Sequence, residues 1–333
     1  MTAHNDLKKL IRVRKSKTGE SYTAARAHVM RERAALLGLC ADGAAPQGPE
    51  RVEAIVLAVN KRSARMRIVG EGEVTCRSSA VCEVVPGHLV TLVIKKRWTW
   101  PGGAYVSAAI ENVRMDVAKL GLAPLPLQGG QLEDLRRDSE PYRRPDPYAP
   151  LWRKLTSRPR PSFQMDRIAW GAFPGAGVDD NLTCDASELA EVGEVEGARA
   201  LLMKVLRRDL RCIDAHALLG NLEFSHRPQR AIVHFEMGMR IGELSFPPAF
   251  DGLFVWGPIY NRPFLRCLHG YGLCLWRLGR NDEARRVFER ILALNPNDNQ
   301  GVRGCWHDVC CGRSWDDLQA ADRWSRNQDP RLH

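Results

Sequence analysis

No apolar run in this 333-residue sequence approaches the roughly 18–20 residues that a membrane-crossing helix requires; stretches such as Ala54–Val59 stop at strand length. The expectation is a chain with no membrane partner. Met1–Lys17 is polar and basic and holds no apolar core of signal-peptide length, which predicts that the protein is not secreted. Catalytic signatures are missing too. There is no Gly-x-Ser-x-Gly elbow, no Gly-x4-Gly-Lys-Ser/Thr phosphate loop, no His-Glu-x-x-His pair and no dinucleotide fingerprint. The acidic pairs Asp179-Asp180 and Asp316-Asp317 read as solvated loop or cap residues. These absences point to a non-enzymatic protein that uses no cofactor.

Ten cysteines are spread along the chain without an export signal, which predicts free, mostly buried thiols in a reducing cytoplasm. Four of the candidate metal ligands cluster, as Cys305-x-His307-x-x-Cys310-Cys311. On a helix Cys310 and Cys311 point about 100° apart, so the set does not converge and the reading is buried thiols without a metal.

Acidic side chains are the scarcer charge: 39 Asp and Glu against 49 Lys and Arg, a formal net charge of +10. The imbalance is local. Residues 1–170 hold 29 basic and 17 acidic side chains, a net +12, and the rest of the chain is near −2. A polyanionic partner for the first half follows, either RNA or DNA.

The pattern along the chain predicts an α+β multidomain protein in five segments. Residues 1–38 read as a basic helical hairpin, with Leu7, Leu10 and Ile11 as one stripe, a break at Thr18-Gly19 and Ser21 capping the second helix. Residues 39–50 are a small-residue linker. Residues 51–122 carry five β-prone runs (52–59, 65–69, 73–77, 89–98 and 104–115) separated by Gly and Pro, which predicts a small five-stranded barrel, OB-like first and SH3-like second. Residues 123–180 are a Pro/Arg-rich strap, with prolines from Pro141 to Pro161, expected to be extended. Residues 181–333 form a helical array of tetratricopeptide (TPR) type, an α-solenoid. Its strongest unit, 263–296, places Gly272, Gly279, Ala284, Phe288 and Pro296 at the small, turn, aromatic and terminal positions of a 34-residue repeat. Weaker units at 213–241 (Leu219, Gly220, Ala231, Phe235) and 187–210 precede it; Phe246–Tyr260 is an insertion packed over the groove or its rim, and 305–325 adds a capping helix with Ser314 as its N-cap.

Three segments carry a resemblance: Trp98–Tyr105 with Asp116–Leu122, Arg266–Gly279 and Asn295–Val302. They resemble a widespread bacterial family of tetratricopeptide-repeat proteins with no assigned reaction. The repeats are also faintly similar to the suppressor-of-tumorigenicity repeat proteins of animals. Val85–Val90 resembles the turn entering a strand of S1-type RNA-binding barrels, and Thr18–Tyr22 resembles short modules of plasmid- and phage-linked proteins.

Two candidate surfaces follow. Helix positions that line the groove in such repeats carry over to Arg266, His269, Leu273, Trp276 and Arg277, and in the preceding unit to Asn221 and Phe224 among others; Arg, His and Trp there suit a protein segment. Trp276 reads equally well as a packing residue. Lys95, Lys96 and Arg97 run into Trp98 and Trp100, with Tyr105 on the returning strand, a cation–aromatic pattern that suits single-stranded nucleic acid. Lys8, Lys9, Arg12 and Lys15 of the first helix extend that basic surface. The leading expectation is a cytoplasmic adaptor whose repeat groove binds a protein segment and whose basic half contacts RNA, DNA or a ribonucleoprotein. The alternatives are a scaffold whose basic half binds an acidic protein and, third, an enzyme.

Overall fold

The computed structural model describes residues 3–26, 28–29, 49–135, 148–166 and 182–320, with side chains from Ile11 onward. The chain divides into two compact units, Met1–Glu50 and Arg51–His333.

In the first unit, α1 (Ala3–Thr18) stops where Gly19 adopts a φ of 71° and its N–H donates back to Lys15 O at 3.0 Å. Ser21 Oγ accepts from Ala24 N at 3.3 Å and opens a second helical stretch at residue 22. Ile11, Ala25 and Val29 bury one another as a small core, and Arg14 Nε meets Glu20 Oε1 at 2.8 Å. The rest of the expected second helix and most of the linker lie outside the described residues.

The second unit begins with β1 (Glu50–Val59), β2 (Ala64–Ile68), β3 (Gly72–Arg77), β4 (Leu89–Trp100) and β5 (Gly103–Arg114), closed into a barrel in the order β1-β2-β3-β5-β4. Period-two alternation builds it: Ala64, Met66 and Ile68 turn inward while Arg65 and Arg67 turn out. The β3–β5 pair is parallel, whereas β1–β2, β2–β3 and β4–β5 are antiparallel. A 3-10 turn, Ser79–Glu83, connects β3 to β4.

The strap is not simply extended. β6 (Leu127–Glu133) pairs antiparallel with β7 (Arg160–Met165), and α2 (Ala149–Leu155) lies between them in sequence. Pro161 is tolerated because this sheet has only two strands, so no ladder needs its missing N–H; its carbonyl still accepts from Leu253 N at 2.7 Å. Arg160 is buried and donates to three backbone carbonyls, Ala293 at 2.7 Å and Asp251 and Gly252 at 3.0 Å. Asn261, also fully buried, joins Met165 N to the Phe163 and Val255 carbonyls. These bonds fasten the strap to the 246–260 insertion, whose Phe246 and Phe254 pack edge-on around Phe264. The strap prolines 141, 145 and 147 lie outside the described residues.

Three antiparallel helix pairs follow: α3 (Leu182–Glu191) with α4 (Val195–Arg208), α5 (Ile213–Phe224) with α6 (Pro228–Glu243), and α7 (Arg262–Arg277) with α8 (Asn281–Leu294). Each pair packs on the next, and α9 (Val302–Cys310) packs on α8. Close approach depends on glycine. A Cβ at Gly220 or Gly270 would sit 2.5 Å or 2.4 Å from the buried Phe235 ring, so α5 and α7 can both rest against it only without side chains. Gly270→Val is expected to lower stability by ~2 kcal/mol, read as a fall in the urea midpoint with the slope unchanged.

Barrel and helices share one continuous core. A Cβ at Gly87 (φ 93°) would meet Met237 Sδ of α6 at 2.5 Å, Val59 N lies 3.4 Å from Met203 Sδ of α4, and Arg230 of α6 donates to the Cys82 carbonyl. Among the described residues no helix is long and apolar enough to cross a membrane.

Candidate functional site

Strand register decides which barrel side chains meet. Paired residues share a face, so Lys96, Ser107 and Arg77 form one row across β4, β5 and β3. The next row is Trp98, Tyr105, Thr75 and Arg65. Trp98 stacks on Tyr105, with centroids 5.7 Å apart and planes 14° apart, and the Arg77 guanidinium lies 5.8 Å from the Trp98 centroid. Trp100, two residues on at the hairpin end, is 69% exposed.

The Lys95-Lys96-Arg97 run does not act as one patch. A bulge between Ile94 and Lys96 sets Lys95 apart, and Arg97 turns from Trp98 to pair with Glu71 through both nitrogens, at 2.7 and 3.1 Å. What the register brings in instead is Arg77, along with Arg62 from the β1–β2 turn. Together with Lys95 they line a cleft of about 680 Å³ whose other polar lining includes Ser63, Ser79 and Ser107 and, among the described residues, no carboxylate. Arg62, Arg77 and Lys95 are far apart in sequence, so no linear motif reveals the cleft. In the first unit Arg12 and Lys15 are exposed on α1; the side chains of Lys8 and Lys9 lie outside the described residues.

On the helical array the candidate groove residues fall into two groups. Phe224 and Trp276 gather at one end under Trp315, which meets their rings edge-on at 5.7 and 5.3 Å. Trp276 is 1% exposed and donates its Nε1–H to Arg313 O at 2.9 Å, so it is a packing residue with no surface to offer a ligand. Arg277 lies 5.3 Å from the Phe224 centroid and donates to the Phe224 and Ser225 carbonyls. Ser314 caps the helical turn that carries Trp315, accepting from Asp317 N at 3.1 Å. At the other end Arg266 spans Asp214, at 3.2 Å, and the Trp256 ring. Burial raises the Asp214 carboxyl above its ordinary range, against the pull of Arg266. His269 is half-buried, set edge-on to Phe288 of its own helix pair, and burial holds its imidazole down at about 4. Asn221 is exposed.

Elsewhere, the nine described cysteines are free thiols, but Cys82, Cys184, Cys310 and Cys311 are exposed rather than buried. The last two end a short helix and its following turn, where the chain leaves the core. Burial pushes Cys212 and Cys274 up to about 12 and Cys305 to about 11. Cys311 Sγ lies 3.6 Å from His307 Nε2, yet no three metal-ligating side chains converge among the described residues.

No curated protein and no solved structure matches the sequence significantly. A family profile described as tetratricopeptide repeat does match, over residues 265–298, which spans nearly all of α7, all of α8 and the turn after it. The helical half of this chain therefore contains a tetratricopeptide repeat.

Proposed function

We propose that the protein is a non-enzymatic cytoplasmic adaptor. Its helices stack as a tetratricopeptide solenoid that docks a protein segment, and its barrel, of OB type, binds single-stranded RNA or DNA. The barrel type is supported by the non-sequential β3–β5 pairing, a Greek-key trait that a simple meander lacks. The observation that carries the nucleic-acid half is the outer face of β2, β3, β5 and β4, where Arg77, Lys96 and the exposed Trp100 surround the Trp98–Tyr105 stack. Rings offer stacking to bases of any sequence, and the cations meet phosphates. For the helical half the support is the repeat itself, since such arrays present extended surfaces to proteins.

The full chain is expected to bind labelled single-stranded 20-mers at about 50 mM salt and to lose affinity steeply as salt rises. Fluorescence anisotropy reads this; no binding to either RNA or DNA would sink the nucleic-acid half. A protein that stays attached through nuclease treatment of an affinity purification identifies the segment the helices dock.

A further inference from the structure

The cations of the barrel fall into two sets. Arg51, Lys61, Arg65, Arg97, Arg114 and Lys119 each reach a carboxylate: Glu111, Glu196, Glu73, Glu71, Glu53 and Asp116 respectively. Arg62, Arg67, Arg77, Lys95 and Lys96 have no carboxylate partner among the described residues, and three of these five, Arg62, Arg77 and Lys95, line the same cleft. Like charges gathered in a concavity repel one another and focus a positive potential there. A fold that pairs six of its barrel cations and brings three of the other five together in one concavity has kept a place for an anion. The flanking serine hydroxyls donate hydrogen bonds to oxygens and carry no charge of their own, which suits a phosphodiester.

We infer that this cleft seats the phosphates of a bound single strand, and that the strand then runs along β4 toward Trp100. The inference rests on the nucleic-acid half of the proposed function and adds the polarity of the site: phosphates at Arg62, Arg77 and Lys95, bases toward the hairpin end. Arg77 joins the two regions, because it lines the cleft and also lies over the Trp98 ring. From Lys95 to Trp100 the strand rises five residues, about 16 Å, a distance that several nucleotides cover and a mononucleotide does not. Tyr105 and Arg77 already occupy the neighbourhood of Trp98, so Trp100 is the ring left open for a base. A purely acidic protein would use the cleft but has no need of that ring.

The test uses the full chain, fluorescein-labelled oligo-U and oligo-dT 12-mers, and salt titration. Arg62→Ser with Lys95→Ser is expected to weaken binding at least tenfold. It should also flatten the plot of log affinity against log salt by about 1.4, near 0.7 for each phosphate that is no longer neutralised. Trp100→Ala is expected to weaken binding with the salt slope unchanged, and Arg114→Ser, on a cation already paired with Glu53, to change neither. Circular dichroism melts confirm that each variant folds, and the charge-retaining Arg62→Lys with Lys95→Arg should keep the wild-type slope. If wild type binds neither oligonucleotide, the underlying reading fails along with this one. If wild type binds and the double serine variant binds equally with the same slope, the cleft is not the phosphate seat, though the barrel still binds nucleic acid. Competition by polyglutamate as strong as by unlabelled oligo-U would assign the cleft to an acidic protein and overturn the proposal.

Discussion

Lowering the pH from 7 to 5 is expected to destabilise the second unit strongly, with the loss concentrated between about pH 6.5 and 5. His88, His216 and His234 are buried in it. Burial holds His88 and His216 at about 4 and drives His234 well below its ordinary value, with His216 and Arg230 beside it adding to the effect. His216 Nε2 has the Leu210 carbonyl at 3.0 Å, and neither ring nitrogen of His234 has a hydrogen-bond partner among the described residues. In the unfolded chain each imidazole titrates near its ordinary 6.5. Below that pH the unfolded state binds protons that the folded state refuses, so stability falls as pH falls, and above about 7 it is flat. Each histidine contributes up to ~1.4 kcal/mol per pH unit in that window, three together ~4 kcal/mol per unit, and His269, which burial also holds at about 4, acts in the same sense. Against a total of ~5–15 kcal/mol for an ordinary domain, that is a large share. Asp214 and Asp298, whose carboxyls burial raises, act in the opposite sense and offset part of it at the acid end of the window. Urea midpoints measured by tryptophan fluorescence at half-unit steps from pH 7.5 to 5 check this, and a midpoint flat over that range would show that the three rings are not neutral and buried together.

Much of the barrel and the strong repeat can be read locally, because they rest on short-range periodicity. Ala64, Arg65, Met66, Arg67 and Ile68 alternate, so a strand and its two faces follow from five letters. Gly272, Ala284 and Phe288 sit where two helices must touch, and in the fold a Cβ at Gly272 would lie 2.5 Å from the Phe288 ring. What sequence spacing leaves hidden is every pairing made across distance. The parallel β3–β5 contact has a whole strand between its members, and the β6–β7 pair is separated by a proline-rich stretch that reads as extended. The contiguous Lys95, Lys96 and Arg97 suggest one patch, but a bulge and a strand's two faces divide them. Arg62 and Arg77 carry no signal at all until the barrel closes and sets them beside Lys95. Trp276 illustrates the same limit in the helices: its repeat position allows a groove or a core role, and only the returning Trp315 segment decides between them.

Glu223→Ala is expected to lower stability by ~3–5 kcal/mol, the cost of leaving a buried charge cluster without its counter-ion. Glu223 is 1% exposed at the end of α5, with Arg199 Nη2 of α4 at 2.6 Å, Arg227 Nε at 2.8 Å and Arg230 Nε of α6 at 3.6 Å. Arg227 is largely solvated and contributes little, whereas Arg199 and Arg230 are mostly buried. Removing the carboxylate therefore strands two guanidiniums that water cannot reach well. Burial already presses the Arg230 guanidinium toward its neutral form, and Glu223 is the largest influence holding it charged. The consequence extends past the helices, since Arg230 also donates to the Cys82 carbonyl in the 3-10 turn of the barrel. Loss of Glu223 should loosen the seam by which the two halves share a core, so barrel and helices would cease to melt together. Urea unfolding followed at once by far-ultraviolet dichroism and tryptophan fluorescence tests both parts. The expected result is a lower midpoint with the two signals no longer superimposed, and Glu223→Leu combined with Arg199→Met should recover part of the loss by removing one stranded charge along with the carboxylate. A Glu223→Ala protein that unfolds at the wild-type midpoint with superimposed signals would mean that the hydrophobic contacts at Gly87, Met237 and Met203 hold the seam by themselves.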